Sequence, residues 1–148
     1  MKSEIGIVIR APLDRVFALG AEIERWPERL PHYRYVRPVA DPDGRRRFAM
    51  GARRGPIPVA WEAVQVPRPE ERRIEFTHTG GVTRGMEVAW ILTPLDDGSI
   101  DVRIHHELRL GWPVIGGFAA DAVIGPQFIE PIARRTLRTI KAIAEAGR

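Results

Sequence analysis

The final segment of the chain, residues 127–148, limits the fold more than any other stretch. Its apolar residues recur every three or four positions, and charged residues fall between them. The apolar set is Phe128, Ile129, Ile132, Ala133, Leu137, Ile140, Ile143 and Ala144. This spacing predicts an amphipathic helix roughly 30 Å long. Because such a stripe must be buried against another layer, the rest of the chain has to supply a matching apolar surface.

Most of the preceding chain alternates between apolar and polar residues, which is typical of half-buried strands. We predict seven strands, over residues 4–10, 33–41, 45–54, 57–66, 72–79, 83–94 and 99–110. Turn signals such as Asp41-Pro-Asp-Gly44 and Asp96-Asp-Gly98 join neighbouring strands, which predicts antiparallel pairing. The sequence therefore predicts an α+β fold, in which a curved seven-stranded antiparallel sheet wraps around the C-terminal helix and leaves a pocket between them.

Two short helices are predicted after the first strand. Pro12 suits the first turn of one that ends near Gly20, and the second covers residues 21–25. Near the C-terminus, a helix is predicted to begin at about Phe118. Pro126 and Pro131 each lack an amide hydrogen, so we expect a break or kink between residues 118 and 132.

Length and composition indicate one domain, residues 1–148. The chain has no cysteine, which excludes a disulfide framework and a thiol nucleophile. A signal-peptide pattern and an apolar run of about 18 residues are both absent, so we expect a cytoplasmic protein.

The net charge is +4, with acids interspersed among the arginines. No DNA partner is expected; an RNA, ribosome or membrane partner is kept as an alternative, and the chain is expected to be a monomer or homodimer.

The inward positions of the predicted strands and helix share an apolar, aromatic character. The candidate ligand-binding residues are Phe48, Met50, Trp61, Phe76, His78, Met86, Val88, Trp90, Ile104, His106, Phe128 and Ile132. An apolar concavity with a few polar groups is typical of a small-molecule site. The alternative is that the same residues form an ordinary core.

Two polar residues are candidates for chemistry. His106 lies at an inward position between Ile104 and Leu108, where it could be a hydrogen-bonded core residue, a ligand contact or a general acid or base. Arg54 shares its side of the strand with Phe48 and could hold a carboxylate or phenolate. Of the remaining inward groups, Gln65 is polar and Tyr33 or Tyr35 is expected at the rim, whereas His105 should face water.

Other catalytic and metal motifs are missing from the sequence. There is no HExxH, CxxC, GxSxG or phosphate-binding loop, and no cluster of histidines and acids has metal-ligand spacing. We therefore predict no metal and no cofactor.

Several local patterns, in their order along the chain, resemble the START-like helix-grip superfamily (SRPBCC). They are the stretch from Ile7 to Phe17, Trp26-Pro27, the stretch from Gly81 through Met86 to Trp90, Asp97-Gly98 and the closing helix. The likeness is to its polyketide cyclase/dehydrase branch and the related coenzyme Q-binding proteins. It implies a seven-stranded sheet gripping a C-terminal helix over a hydrophobic cavity.

The resemblance also implies functions. Members bind lipids, isoprenoids, polyketides or hormones, and some catalyse aromatic ring closure with dehydration. The cyclases have a Trp-x-Ser-x-Arg pattern on the third strand, whereas this chain has Phe48-Ala-Met-Gly-Ala-Arg-Arg54, without the serine. We therefore expect binding of a hydrophobic small molecule, of lipid, isoprenoid or aromatic polyketide type, in a cavity between the sheet and the C-terminal helix. The alternatives are a polyketide aromatase/cyclase or dehydratase, and an accessory protein associated with ribosomes or membranes.

Overall fold

A computed structural model describes residues 2–81, 83–108 and 126–147, with side chains from residue 129 onward in the last range. The strands are β1 Lys2–Ile9, β2 Tyr33–Pro38, β3 Arg46–Arg54, β4 Ile57–Arg68, β5 Arg73–Gly81, β6 Met86–Pro94 and β7 Ile100–Leu108. The helices are α1 Leu13–Ala21, α2 Trp26–Arg29 and α3 Pro126–Glu145, with single 3₁₀ turns at Ile23–Arg25 and Pro69–Glu71.

All seven strands belong to one antiparallel sheet, in the order β1-β7-β6-β5-β4-β3-β2. Six consecutive strands are therefore neighbours, and β1 joins the free edge of β7. The sheet curves around α3, which packs against β1, β3 and α1. This is the helix-grip arrangement, and it confirms the predicted fold class.

The inside and outside of the sheet follow the sequence alternation. On β7, Ile100, Val102 and Ile104 are buried, whereas the residues between them are partly or fully exposed. The same two-residue period holds on β5 and β6. Since one face of the sheet is buried throughout, a slip of one residue would expose the whole apolar set, which fixes the register.

The C-terminal helix buries the predicted stripe. Leu137, Ile140 and Ala144 are almost completely buried, and Ile143 is partly buried against the same core. Polar contacts hold its outer end: the Lys141 ammonium donates to the Val8 carbonyl at 2.6 Å. The helix thus closes the concave side of the sheet near β1.

Of the predicted break or kink before Ile132, a break is not found within the described residues. Helix α3 begins at Pro126 and continues through Pro131. Pro126 lies at the helix start, where a missing amide hydrogen costs nothing. The predicted helix start near Phe118, and the rest of the expected break, lie outside the described residues.

The region after β1 differs from the two predicted helices. Helix α1 ends at Ala21, a 3₁₀ turn replaces the predicted helix over 21–25, and α2 follows. The Trp26 indole ties these turns together by donating to the Leu19 carbonyl at 2.9 Å. Gly20 brings α1 close to the sheet, because a Cβ there would lie 3.1 Å from the Trp90 ring.

A β-bulge shapes the middle of the sheet. Ala63 pairs with His78 and Glu62 with Gly80, so the residue between them on β5, Thr79, has no partner on β4. Gly81 follows with a φ of +88°, and a Cβ there would lie 2.6 Å from the Ala60 carbonyl oxygen. A bulge bends its strand and redirects nearby side chains. Here it lies next to His78.

Strand ends also depart from the sequence prediction. Strand β6 begins at Met86 rather than 83, because a turn closed by hydrogen bonds at Gly85 and Met86 precedes it. Strand β2 ends at Pro38 rather than 41. Residues 109 and 110, predicted in the last strand, lie outside the described residues.

Within the described ranges, every helix is too short or too polar to cross a bilayer.

Candidate ligand-binding cavity

A cavity lies between the concave face of the sheet and α3. Its free volume is about 90 Å³. The described residues that line it are Trp26, Tyr33, Met50, Val59, Trp61, Phe76, His78, Thr83, Met86, Val88, Trp90, Ile104, His106, Ile129, Ile132, Ala133 and Thr136. The lining is mostly aromatic and aliphatic, with a few polar groups that converge on one space, as in small-molecule sites.

Most residues predicted to contact a ligand are brought together here. They come from six different elements, so the curvature of the sheet, rather than any local motif, assembles them. The predicted residues found in the lining are Met50, Trp61, Phe76, His78, Met86, Val88, Trp90, Ile104, His106 and Ile132. The side chain of Phe128 lies outside the described residues.

Phe48 is an exception, because it is buried in the core and does not line the cavity. The Arg46 guanidinium lies over its ring, 5.1 Å from the ring centre. Arg46 also donates to Gln65, whose amide nitrogen in turn donates to the Ala21 carbonyl at 2.8 Å. Gln65 therefore ties β4 to α1 and is not available to a ligand.

Arg54 is also not part of the cavity lining. It is the last residue of β3, pairs with Ile57 across the Gly55 turn and is partly exposed. The strand alternation places it on the inward side, as predicted, but at the end of the strand, beyond the enclosed space. Arg54 is therefore not among the described lining residues, and a role in holding an anion stays a prediction.

His106, one of the two residues predicted to take part in chemistry, lines the cavity. It is 7% exposed and lies on β7 opposite Val88 of β6 and Ser3 of β1. Its Nδ1 atom is buried and has no hydrogen-bond partner among the described residues. Burial lowers the pKa of His106 to about 4, although the nearby Glu130 carboxylate opposes the shift. The imidazole is therefore neutral at pH 7.

His78 lies on β5, on the same wall of the cavity. Its Nδ1 is 2.6 Å from the Thr83 hydroxyl, and its ring stacks on Trp61, with the planes 6° apart and the centroids 5.8 Å apart. Burial, and to a smaller extent the neighbouring His106, lowers the pKa of His78 to about 3. Thr83 and Trp61 thus fix both the tilt and the position of a second neutral imidazole.

A further polar group lines the opposite arm of the sheet. Tyr33 of β2 packs its ring against Trp26 and Trp61, at centroid distances of 4.9 and 6.0 Å. Burial raises the pKa of the Tyr33 phenol, and the adjacent Thr136 hydroxyl opposes that shift only partly. The phenol is therefore a neutral hydrogen-bonding group at the cavity surface.

His32 packs its ring edge-on against the ring of Tyr33. It is buried, its Nε2 is 2.8 Å from the Thr136 hydroxyl, and its pKa falls to about 4, mainly through burial and partly through Arg135. Sequence patterns could not single out His32, because it lies at a helix-to-strand corner where neither strand nor helix parity applies.

Several lining residues were not predicted from the sequence. Trp26 belongs to a short helix whose packing direction has no periodic signal, and Thr83 lies in the turn before β6. Thr136 falls on the apolar stripe of α3, three residues after Ala133 and four before Ile140, so helical spacing could have identified it. Among the described residues, no group of three or more histidines and acids could hold a metal ion.

Comparison with known proteins agrees with this geometry. Residues 9–125 match the family described as polyketide cyclase/dehydrase and lipid transport. The chain is 25% identical, over 148 residues, to the granaticin polyketide synthase bifunctional cyclase/dehydratase of Streptomyces violaceoruber. That alignment covers 99% of this chain and 44% of the relative, so the chain spans less than half of the relative's length.

Solved structures with the same fold include two cyclases. The Zhui aromatase/cyclase of a Streptomyces strain has a TM-score of 0.78 at 16% identity, covering 98% of this chain and 93% of that one. The di-domain ARO/CYC protein BexL has a TM-score of 0.74 at 26% identity, covering 98% and 46%. A START superfamily protein from Mycobacterium smegmatis has a TM-score of 0.72 at 14% identity, covering 98% and 97%.

The family match covers most of the sheet, including every strand that lines the cavity. This chain is thus a member of the polyketide cyclase/dehydrase and lipid transport family, with the START-like helix-grip fold.

Proposed function

We propose that this chain binds a hydrophobic small molecule, aromatic and of polyketide type, in the cavity between the sheet and α3. The observation that carries the proposal is the lining itself, in which aromatic walls enclose two neutral imidazoles and a phenol. A free volume of about 90 Å³ is small beside the roughly 300–1,000 Å³ of drug-sized pockets. It favours a compact ring compound over a long lipid chain.

A fluorescent neutral naphthalene tests this proposal. The dye 6-propionyl-2-(dimethylamino)naphthalene shifts its emission to the blue in apolar surroundings, so titration with protein reports binding. Ala133 of α3 lines the cavity, whereas Ala142 of the same helix is exposed. We expect Ala133→Phe to fill the space and weaken binding at least about tenfold, a loss of about 1.4 kcal/mol. Ala142→Phe is the matched control and should bind like the wild type.

Thermal unfolding of both variants checks that each remains folded. If Ala133→Phe loses too much stability, Ala133→Leu replaces it with a smaller intrusion. Equal dye affinity in the folded Ala133 and Ala142 variants would contradict the proposal, as would the absence of a blue shift in the wild type.

A cyclase or dehydratase reaction is the second candidate, and His106 is the observation that favours it. A neutral imidazole in an apolar cavity can take a proton from a carbon between two carbonyl groups. The carbon then attacks another carbonyl carbon, and the resulting alkoxide takes the proton back from the imidazolium. Loss of a second proton from the carbon that attacked, together with the new hydroxyl group, releases water and forms a C=C bond. The family match and the cyclase/dehydratase relative support this candidate.

The second candidate is tested by comparing variants of two adjacent histidines, His105 and His106, in an activity assay. A linear aromatic triketone is incubated with the protein, and ring closure is followed by absorbance and by loss of one water in the mass spectrum. His106→Gln should lower kcat at least about 100-fold, the usual contribution of a general acid or base. His105→Gln, on the outer face of β7, should leave kcat and KM unchanged. An unchanged rate in His106→Gln would leave binding as the function.

A further inference from the structure

The polar groups of the cavity lie at two separate places. Tyr33 is on β2 and His106 is on β7, which are five positions apart in the strand order. Only the curvature of the sheet brings both to one cavity. Trp61 lies between the two places, with its ring 6.0 Å from Tyr33 and 5.8 Å from His78. The cavity therefore has two polar ends joined by an aromatic wall.

The hydrogen bonds of Thr136 determine which polar group near Tyr33 can bind a ligand. The Thr136 hydroxyl has one hydrogen and donates it to the Ile132 carbonyl at 2.8 Å. Its oxygen must therefore accept from His32 Nε2, which lies 2.8 Å away. His32 is thereby held as the Nε2–H tautomer, and its Nδ1 is buried without a partner among the described residues. The Thr136 oxygen has a second lone pair, which the adjacent Tyr33 phenol can use. Since Thr136 has no further hydrogen to donate, the Tyr33 phenol is the group at this end that can turn its hydrogen from Thr136 toward a ligand.

The opposite end offers imidazole nitrogens. His78 uses Nδ1 for its bond with Thr83, so its other ring nitrogen is the one left for a ligand. The Nδ1 of His106 has no partner in the described parts of the chain. A neutral imidazole carries one donor and one acceptor nitrogen. This end can therefore pair with either a carbonyl or a hydroxyl oxygen.

Formal charge is absent from the described part of the lining. The tyrosine and both histidines are neutral at pH 7, and none of the other lining side chains ionises. Among the described residues, the Glu130 carboxylate acts on His106, and it is held by the Ser3 hydroxyl at 2.6 Å and by Arg134 at 3.3 Å. An anion placed in such a space would lose its hydration without gaining a counter-ion, which is costly.

We propose that the cavity selects an uncharged, flat ring compound with a hydrogen-bonding oxygen at each of its two ends. One oxygen meets the Tyr33 phenol and the other meets the imidazoles of His78 and His106, while the ring system lies along Trp61. This inference rests on the proposed function and adds the ligand's charge and the placement of its oxygens. A carboxylate or a phosphate ester on the same ring system is rejected.

A series of naphthalenes separates these features. The probes are 6-acetyl-2-naphthol with two oxygens, 2-acetonaphthone and 2-naphthol with one each, and 6-hydroxy-2-naphthoate as the anion. Calorimetric titration at pH 7 gives each affinity. The two-oxygen probe should bind about 3- to 10-fold more tightly than either one-oxygen probe, the usual effect of one net hydrogen bond. The anion should bind at least about 100-fold more weakly than the two-oxygen probe.

Matched variants assign each end. Tyr33→Phe should remove the advantage of the two-oxygen probe and leave one of the one-oxygen probes unaffected. Tyr35→Phe is the control, because Tyr35 packs on Gly51 and under Arg37 instead of lining the cavity. His106→Gln and its neighbour His105→Gln form the corresponding pair at the other end. Thermal melting confirms that each variant is folded.

The outcomes distinguish this inference from the function on which it rests. If the anion binds as tightly as the two-oxygen probe, or if the second oxygen adds no affinity, the inference is overturned while hydrophobic binding stands. If an advantage exists but survives Tyr33→Phe, the Tyr33 end is assigned wrongly and the inference fails. If none of the probes binds, the proposed function itself fails.

Discussion

His105 and His106 are consecutive on β7 but lie on opposite faces of the sheet. His105 is on the outer face, where its Nδ1 is 3.1 Å from the Glu4 carboxylate. His106 is 7% exposed and lines the cavity. Because strand geometry alone separates the two imidazoles, the pair lets the inside of the sheet be tested against the outside within one dipeptide.

The lowered pKa of His106 predicts a dependence of stability on pH. An unfolded histidine has a pKa near 6.5, whereas burial lowers the folded value to about 4. Between these values the unfolded chain binds more protons, so the free energy of unfolding falls as the pH falls. The contribution of His106 is about 1.4 kcal/mol for each pH unit below 6.5, and it ends below the folded pKa.

Urea unfolding of the wild type and His106→Gln between pH 7 and pH 4 measures this dependence. The variant should show the shallower slope, because carboxylates contribute equally to both proteins. Parallel slopes would mean that His106 is not buried in its neutral form.

Helix α3 is predicted to hold the core through its buried stripe. Ile140 is 1% exposed, so Ile140→Ala should lower the free energy of unfolding by about 2–5 kcal/mol through lost contacts and a new void. Ile57 of β4 is 42% exposed, and Ile57→Ala should cost only about 0.5 kcal/mol. Chemical denaturation gives both values. A similar loss in the two variants would contradict the packing of α3 into the sheet.

Gly81 is predicted to be necessary for the bulge that orients His78. Its φ is +88° and a Cβ would lie 2.6 Å from a carbonyl oxygen. Gly81→Ala should therefore cost about 1–3 kcal/mol. It should also shift the ring-proton resonances of His78, which stacks on Trp61 beside the bulge.

The matched control is Gly44→Ala. Gly44 has a φ of +71° but open space around it, so the substitution strains the backbone by about 1 kcal/mol without a clash. The His78 resonances should not move in this variant. The role of the bulge is contradicted if Gly81→Ala unfolds no more easily than Gly44→Ala.

Association with RNA or anionic membranes stays a prediction from the arginine content. In the described residues, several of these arginines face acids: Arg47 pairs with Glu62 at 2.7 Å and Arg68 with Glu75 at 2.9 Å. We therefore expect weak binding that is lost between about 50 and 200 mM salt. Sedimentation with anionic vesicles and gel shift with RNA measure it; tight binding at the higher salt would instead establish a macromolecular partner.

The sheet and most of the cavity wall could be predicted from sequence because strand parity is a local signal. Once β7 and β6 were identified, the alternation placed Ile104, His106, Val88 and Trp90 on one face without knowledge of the fold. The same parity did not indicate that Phe48 and Arg54 fall outside the described lining of the cavity. Both are inward, but how far along a strand the enclosed space extends depends on the curvature of the whole sheet.

Residues that join the site through tertiary packing could not be predicted in this way. Trp26 reaches the cavity from a one-turn helix, and His32 reaches Thr136 across a separation of 104 residues. No period in the sequence encodes such contacts. The hydrogen-bond arrangement of Thr136 likewise needed coordinates, although its place on the helix stripe was visible.

The most direct test of a ligand between the sheet and α3 uses the methionines. Met50 of β3 and Met86 of β6 line the cavity from different strands, and the chain has three methionines, so methyl-labelled methionine gives a simple spectrum. Titration with 6-acetyl-2-naphthol should shift both of these methyl signals along one saturable curve, assigned with Met50→Leu and Met86→Leu. Saturable binding that leaves both signals in place would locate the ligand elsewhere and contradict the account.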